Sequence, residues 1–269
     1  MKKNVFVFWL LLSTILAVSC NNYQKILKTN DFVLMYKKSF EYYNKGDYMR
    51  ASELFDRIAS IYKGTEKGDS TAFFQAMSYF RQNDYLNASY HFDNFYKNFP
   101  YSPFSEEAMF MAGYCYYKRS PKAELDQQET LLAIEVLQEF IRKNPGSKFA
   151  EAAQGYVGSL HDRLIEKSYI SAKLYYEMGD YKAAATSLAI ALGEYPETKH
   201  REEILFLTLR SKYLFAEKSI EGKQRERYQD TVDEYMSFAA EFPESKHKTD
   251  AKKMYEVASK YVPADELNK

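Results

Sequence analysis

Thiols and imidazoles are the side chains best suited to nucleophilic, acid–base or metal chemistry near neutral pH, and this chain of 269 residues has two Cys and four His. Cys115 stands between Tyr114 and Tyr116 inside a helical pattern, which points to packing and not to an exposed nucleophile. His91, His161, His200 and His247 offer no pair at metal-ligand spacing, so each reads as a surface or boundary side chain and no metal is expected. His200 and His247 each follow a proline, Pro196 and Pro243, by four residues, and so hold the same place in two copies of a repeat. No glycine-rich phosphate loop and no Gly-x-Ser-x-Gly elbow occurs. Glu106 and Glu107 fall where a helix N-terminus stabilises acids. No catalytic residue and no cofactor is expected from these patterns.

Cys20 stands apart. Lys2 and Lys3 precede a fourteen-residue uncharged run, Val5 to Val18. A spanning helix needs about 20 residues, so the run fits the apolar core of a signal peptide. It ends Ala17-Val18-Ser19-Cys20, and a small residue directly before Cys resembles the lipobox of bacterial lipoproteins. That resemblance implies removal of residues 1–19, a covalent lipid on Cys20, and a polar tether over residues 20–30. Several acyl chains, at about 0.8 kcal/mol per buried methylene, hold a protein on a bilayer essentially permanently. The competing reading is an ordinary secretory signal with an incidental Cys. Loss of the leader removes Lys2 and Lys3 and no acid, so 37 basic side chains become 35 against 37 acidic ones, a net charge of −2. Nucleic acid is therefore not an expected partner. With Cys20 acylated, Cys115 has no partner for a disulfide.

The elements that carry these residues repeat. Ala172 is followed three and four places on by Tyr175 and Tyr176; Gly179 and Asp180 end one helix and cap the next; Tyr181, Ala184, Leu188 and Ala191 form an apolar stripe that stops at Pro196. The same frame starts at Ser39, Ala76, Gly113 and Ser211, and second helices carry Tyr48, Ala51 and Phe55; Tyr85, Ala88 and Phe92; Thr130, Ala133 and Leu137; Tyr228, Thr231 and Tyr235. Pro100, Pro145, Pro196 and Pro243 each close a unit. Five helix pairs in register predict an all-α chain, and most of the 25 Tyr and 19 Phe would fill the seams between neighbours.

Start-to-start distances are 37, 37, 59 and 39 residues. Units three and five each carry an eight-residue insertion at the inner turn, around Arg119–Glu129 and Glu217–Arg227. Fourteen further residues without proline precede Ala172, nearly four whole turns, which predicts one fused helix from about Ser147 to Met178. Lys63 to Ser70 reads as a loop, Asn83 as a stand-in for glycine, and a helix over about Ser245–Tyr261 as a cap on the last unit.

The spacing resembles the tetratricopeptide repeat, about 34 residues in its plain form, which implies a right-handed superhelical solenoid. A lipobox followed by five such units is more closely similar to the BamD family of outer-membrane assembly lipoproteins. The most specific segments are Asp126-Gln127-Gln128-Glu129-Thr130, Arg163-Leu164-Ile165-Glu166-Lys167, and Tyr195-Pro196-Glu197-Thr198. The resemblance implies a non-catalytic scaffold, lipid-anchored in the outer membrane and facing the periplasm. Asn21-Asn22 lacks the acidic cluster that resembles a surface-export signal, which agrees with that face.

It also implies that residues 146–262 dock on periplasmic domains of the barrel-forming partner BamA, and that residues 31–145 meet unfolded outer-membrane β-barrel proteins. Residues 263–269 would be a loose tail. An arginine after the Tyr-Pro-x-Thr segment is implicated in the BamA contact. Here that role passes to Arg201, one residue early with Glu202 in the matching place, flanked by Tyr195 and Thr198. An extended strand with alternate aromatic residues could lie against Tyr43, Tyr48, Tyr79 and Tyr85. Two alternatives are another periplasmic repeat lipoprotein that coordinates envelope or division factors, and a glycan-binding lipoprotein. Trp9, the single Trp, lies in the leader and leaves none to stack sugars.

Overall fold

Four helices open on an aspartate that does what its type and place dictate. Asp31, Asp47, Asp84 and Asp180 each accept a backbone N–H three residues on, at the openings of α1 (Phe32–Asn44), α2 (Tyr48–Tyr62), α4 (Tyr85–Asn98) and α8 (Tyr181–Glu194). The turns just before three of these caps need a left-handed residue: Gly46 and Gly179 take φ of 80°, and Asn83 takes 61°. The computed structural model describes residues 23–263. The remaining helices are α3 (Gly68–Arg81), α5 (Ser105–Arg119), α6 (Gln128–Lys143), α7 (Ala150–Glu177), α9 (Arg201–Glu217), α10 (Glu221–Glu241) and α11 (Lys248–Ala258). Among the described residues there is no strand.

From α1 to α6 each helix packs on the next, and the same holds from α8 to α11, where α9 also touches α11. The all-α class and the packing of helix pairs in sequence order match the expectation. All five small frame positions (Ser39, Ala76, Gly113, Ala172, Ser211) are buried, as are Ala51, Ala88, Ala133, Ala184 and Thr231 of the second helices. Small side chains here let two helices approach closely while the rings beside them fill the seam.

The chain forms two compact units. The first runs to Pro121 and resumes over Gln127–Leu160; the second holds Lys122–Asp126 and the chain from His161. Phe55, Phe92, Phe95, Leu137 and Phe140 are fully buried in the first, and Leu188, Ile204, Leu209 and Phe238 in the second. The fused helix is present as the 28-residue α7, and the division falls at Leu160 within it rather than near residue 145. Its early part packs with the third pair, where Tyr156 meets Tyr114 and Tyr117. Its later part, Tyr169 and Ala172, packs with Leu188, Ile204 and Leu207 of the second unit.

Three expectations are corrected. Residues 23–28, read as tether, are helical, and Tyr23 is buried against α1 and α2 because its ring and the partly buried Ile26 and Leu27 fit an apolar seam. The loop after α2 ends before Gly68 and not at Ser70, because Thr65 and Gly68 close two successive hydrogen-bonded bends on Tyr62 and Thr65. The fifth unit's insertion is helix, not turn: Glu221 to Arg227 add two turns to the front of α10. In the third unit Pro121 prevents that and residues 120–127 stay irregular, with Glu124 O receiving the Lys167 ammonium at 2.9 Å. Cys20, the leader and residues 264–269 lie outside the described residues. No described helix is long and apolar enough to cross a membrane.

Candidate binding surfaces

In the first unit the position four residues after each small residue carries a ring: Tyr43, Phe80 and Tyr117. Tyr43 meets Tyr48 edge-on at 5.4 Å and Phe74 at 5.0 Å. Phe80 meets Tyr85 at 5.8 Å and Tyr114 at 5.9 Å, and Tyr114 and Tyr117 reach Tyr156 at 5.1 and 4.5 Å. The Lys118 ammonium lies 5.8 Å from the centres of both Tyr85 and Tyr114. These rings are half-buried, so each packs on one side and keeps area open on the other. Burial pushes the Tyr43 phenol up, against the opposing pull of Arg81, and burial likewise raises Tyr156. Neutral phenols beside fixed cations can take ring faces and carboxylates together.

Tyr79 belongs elsewhere. Its hydroxyl donates to Asp56 Oδ2 at 2.6 Å and its ring stacks on His91 at 5.0 Å, so it joins α3 to α2 and α4. Asp56 also accepts from Gln75 at 2.7 Å. Burial and the Asp56 carboxylate together push the Tyr79 phenol well up, and burial lowers His91 against the pull of Asp56 and Asp84. The same latch recurs one unit on, where Tyr116 donates to Asp93 at 2.8 Å. Cys115 is fully buried and its thiol is pushed up to about 12 by that burial, so no thiolate is present at neutral pH.

In the second unit the turn at Pro196 gathers all four predicted contact residues. Tyr195 ends α8, half-buried. Thr198 is buried and its hydroxyl accepts the His200 N–H at 3.2 Å. Arg201 opens α9, pairs with both carboxylate oxygens of Glu241, and donates to Pro196 O at 2.9 Å. That pair holds Glu241 below the usual carboxylate range. With both side chains more than a third exposed, it contributes at most about 1 kcal/mol and chiefly aims the guanidinium. Glu202 accepts from Ser245 at 2.6 Å.

The two histidines at proline plus four are boundary side chains, partly buried. They occupy the place of Phe104 and Phe149, and all four rings stack on an aromatic of an earlier helix: Phe104 on Phe73 at 4.6 Å, Phe149 on Phe110 at 4.6 Å, His200 on Tyr169 at 4.0 Å, His247 on Phe206 at 3.9 Å. Two residues earlier, Ser102, Ser147, Thr198 and Ser245 cap the same turns. The shared register after proline was a signal in the sequence; ring stacking was its meaning. His200 also bonds Glu166 at 2.9 Å, whereas His247 Nε2 is buried without a partner. His247→Phe is therefore expected to stabilise the protein by about 1 kcal/mol, and His200→Phe to destabilise it by a similar amount. Thermal unfolding should show shifts of roughly 2–4 °C in opposite directions.

Sequence reasoning passed over Phe74, Tyr114 and Tyr156 as contact rings, because each looks like core filling until its partial exposure is seen. Among the described residues no group of His, Cys, Asp and Glu could hold a metal ion.

Helix pairs packed in order, each with a buried small residue and a fixed ring, define a tetratricopeptide-like repeat protein. The model of the YfiO family, described as outer membrane lipoprotein, matches residues 29–227, and the chain belongs to that family. It is 21% identical over 173 residues to an outer membrane protein assembly factor BamD of Caulobacter vibrioides, a match covering 64% of this chain and 57% of that protein. Over 187 residues it is 24% identical to the BamD of Rickettsia prowazekii, covering 68% of this chain and 74% of that protein.

Proposed function

We propose that this protein is a scaffold for assembling outer-membrane β-barrel proteins, held on the outer membrane by lipid at Cys20 and facing the periplasm. It binds the barrel-forming partner BamA and unfolded barrel chains, and makes or breaks no covalent bond. Membership in an outer-membrane lipoprotein family supports the location, and the relatives' description as assembly factors supports the role. The observation that carries substrate binding is two sets of half-buried rings, Tyr43 with Tyr48, and Tyr85, Phe80, Tyr114 and Tyr156 in succession. An extended strand places alternate side chains on one face about 6.6 Å apart, close to the 5–6 Å steps between these rings. The exposed guanidinium at the Pro196 turn supports a protein contact for the second unit.

Fluorescence anisotropy with a peptide copying a barrel's last strand tests the first contact. Tyr85→Ala with Tyr114→Ala is expected to weaken binding at least tenfold, about 1.4 kcal/mol, relative to a scrambled-peptide baseline. Unchanged affinity would remove these rings from the reading. Affinity purification from membranes tests the second: a β-barrel protein with periplasmic repeats should be the major partner and should be depleted in Arg201→Ala. Recovery of division or peptidoglycan factors in its place would end the assembly reading.

A further inference from the structure

Tyr23 is 5% exposed, although it lies only three residues after Cys20. Its ring meets Tyr42 edge-on at 5.6 Å, its hydroxyl donates to Glu53 at 2.5 Å, and the Arg50 guanidinium lies over both rings at 5.2 and 5.6 Å. Ile26 and Leu27 enter the same apolar cluster with Met35, Leu54 and Phe55. The chain is thus fastened to the first helix pair from Tyr23 onward. Three residues span at most about 10 Å. A lipid on Cys20 would therefore hold Tyr23 within about 10 Å of the membrane, where a free ten-residue tether would let it range over roughly 17 Å.

The surface nearest that point is the turn between α1 and α2. Lys45 and Arg50 flank it, and Met49 is 72% exposed, an apolar side chain with no packing role. Lys45 is paired with Glu41 and Arg50 with Asp47, so the patch has little free charge. We propose that this turn, Lys45 to Arg50, is a membrane-contacting surface, pressed onto the phospholipid bilayer by the short leash between Cys20 and Tyr23. The inference rests on the acylation of Cys20 proposed above. Met49 enters the headgroup layer, and the first helix pair meets the bilayer at its inner-turn edge. Tyr101, fully exposed, follows the far end of α4, a helix about 21 Å long.

The test uses the lipidated full-length chain in phospholipid vesicles that carry a headgroup-linked quencher. Single variants Met49→Cys and Tyr101→Cys are labelled with a fluorophore; Cys115 is buried and does not compete. Quenching at residue 49 is expected to exceed that at residue 101 at least threefold. A fifteen-residue Gly/Ser insert between Asn22 and Tyr23, reaching about 20 Å, should abolish the difference. Equal quenching in the native-length chain overturns the surface, as does a difference that survives the insert. Mass spectrometry of the N-terminal peptide separates the two readings. Acylated Cys20 with equal quenching defeats the surface alone, and unmodified Cys20 defeats the anchor and the surface together.

Discussion

Cys20→Ser is expected to move the protein almost completely from the membrane fraction to the soluble fraction and to reduce incorporated acyl label to background. The reason is arithmetic in methylenes. One fourteen-carbon chain gives only marginal binding, of order 10⁴ M⁻¹, but each further buried methylene adds about 0.8 kcal/mol, so two or more chains are effectively irreversible. A hydroxyl cannot carry the thioether. Cys115 cannot substitute, being fully buried with its thiol raised to about 12. Alkaline washing followed by sedimentation measures the outcome. A serine variant that still takes up label defeats the anchor.

The second large effect lies at Gly113, the one frame position without a Cβ. A methyl there would stand 2.6 Å from Leu137 Cδ2 and 2.8 Å from its Cγ, and Leu137 is fully buried with nowhere to swing. Alanine in place of a helical glycine ordinarily stabilises by about 1 kcal/mol. Overpacking against a fixed branch point costs about 1–3 kcal/mol, so the clash wins and Gly113→Ala destabilises. Leu137→Ala alone leaves a cavity between α5 and α6 and should cost about 2–5 kcal/mol. In that background the clash is gone, and Gly113→Ala should become stabilising. Denaturant unfolding of the four proteins in the cycle measures the coupling. The same sign for Gly113→Ala in both backgrounds would show that Leu137 is not what demands the glycine.

How much was legible follows from which signals are local. The five small positions, the Asp180 cap, the left-handed Asn83 and the fused α7 were all readable, because each is set by spacing or by one residue's conformational preference. The front of α10 was not. Glu221 to Arg227 is polar throughout and shows no apolar period, so its helicity rests on the propensity of Glu, Lys, Gln and Arg, which is weak beside periodicity. Tyr79 and Tyr85 carry the same residue type at neighbouring frame positions. Only the acceptor, Asp56 on the neighbouring helix for one and Asn83 in its own turn for the other, decides that the first is a latch and the second part of a surface. Tyr23 was hidden for the opposite reason: polar neighbours made its segment look like linker, although one ring and two aliphatic side chains sufficed to dock it.

The stacks that follow each proline bear on how such a chain can change length. Partner rings lie 31 residues apart in two cases, 39 apart where the third unit's insertion intervenes, and 41 apart in the fifth, where the partner Phe206 also lies two residues earlier in the frame. Every stack is thus closed within about one period, by an aromatic or imidazole ring that has a counterpart in the next. Deleting or duplicating a whole period would set a fresh ring against an equivalent one and a fresh hydroxyl cap over an equivalent turn. Growth and shrinkage by recombination can therefore proceed in whole modules, with each new junction already fitted.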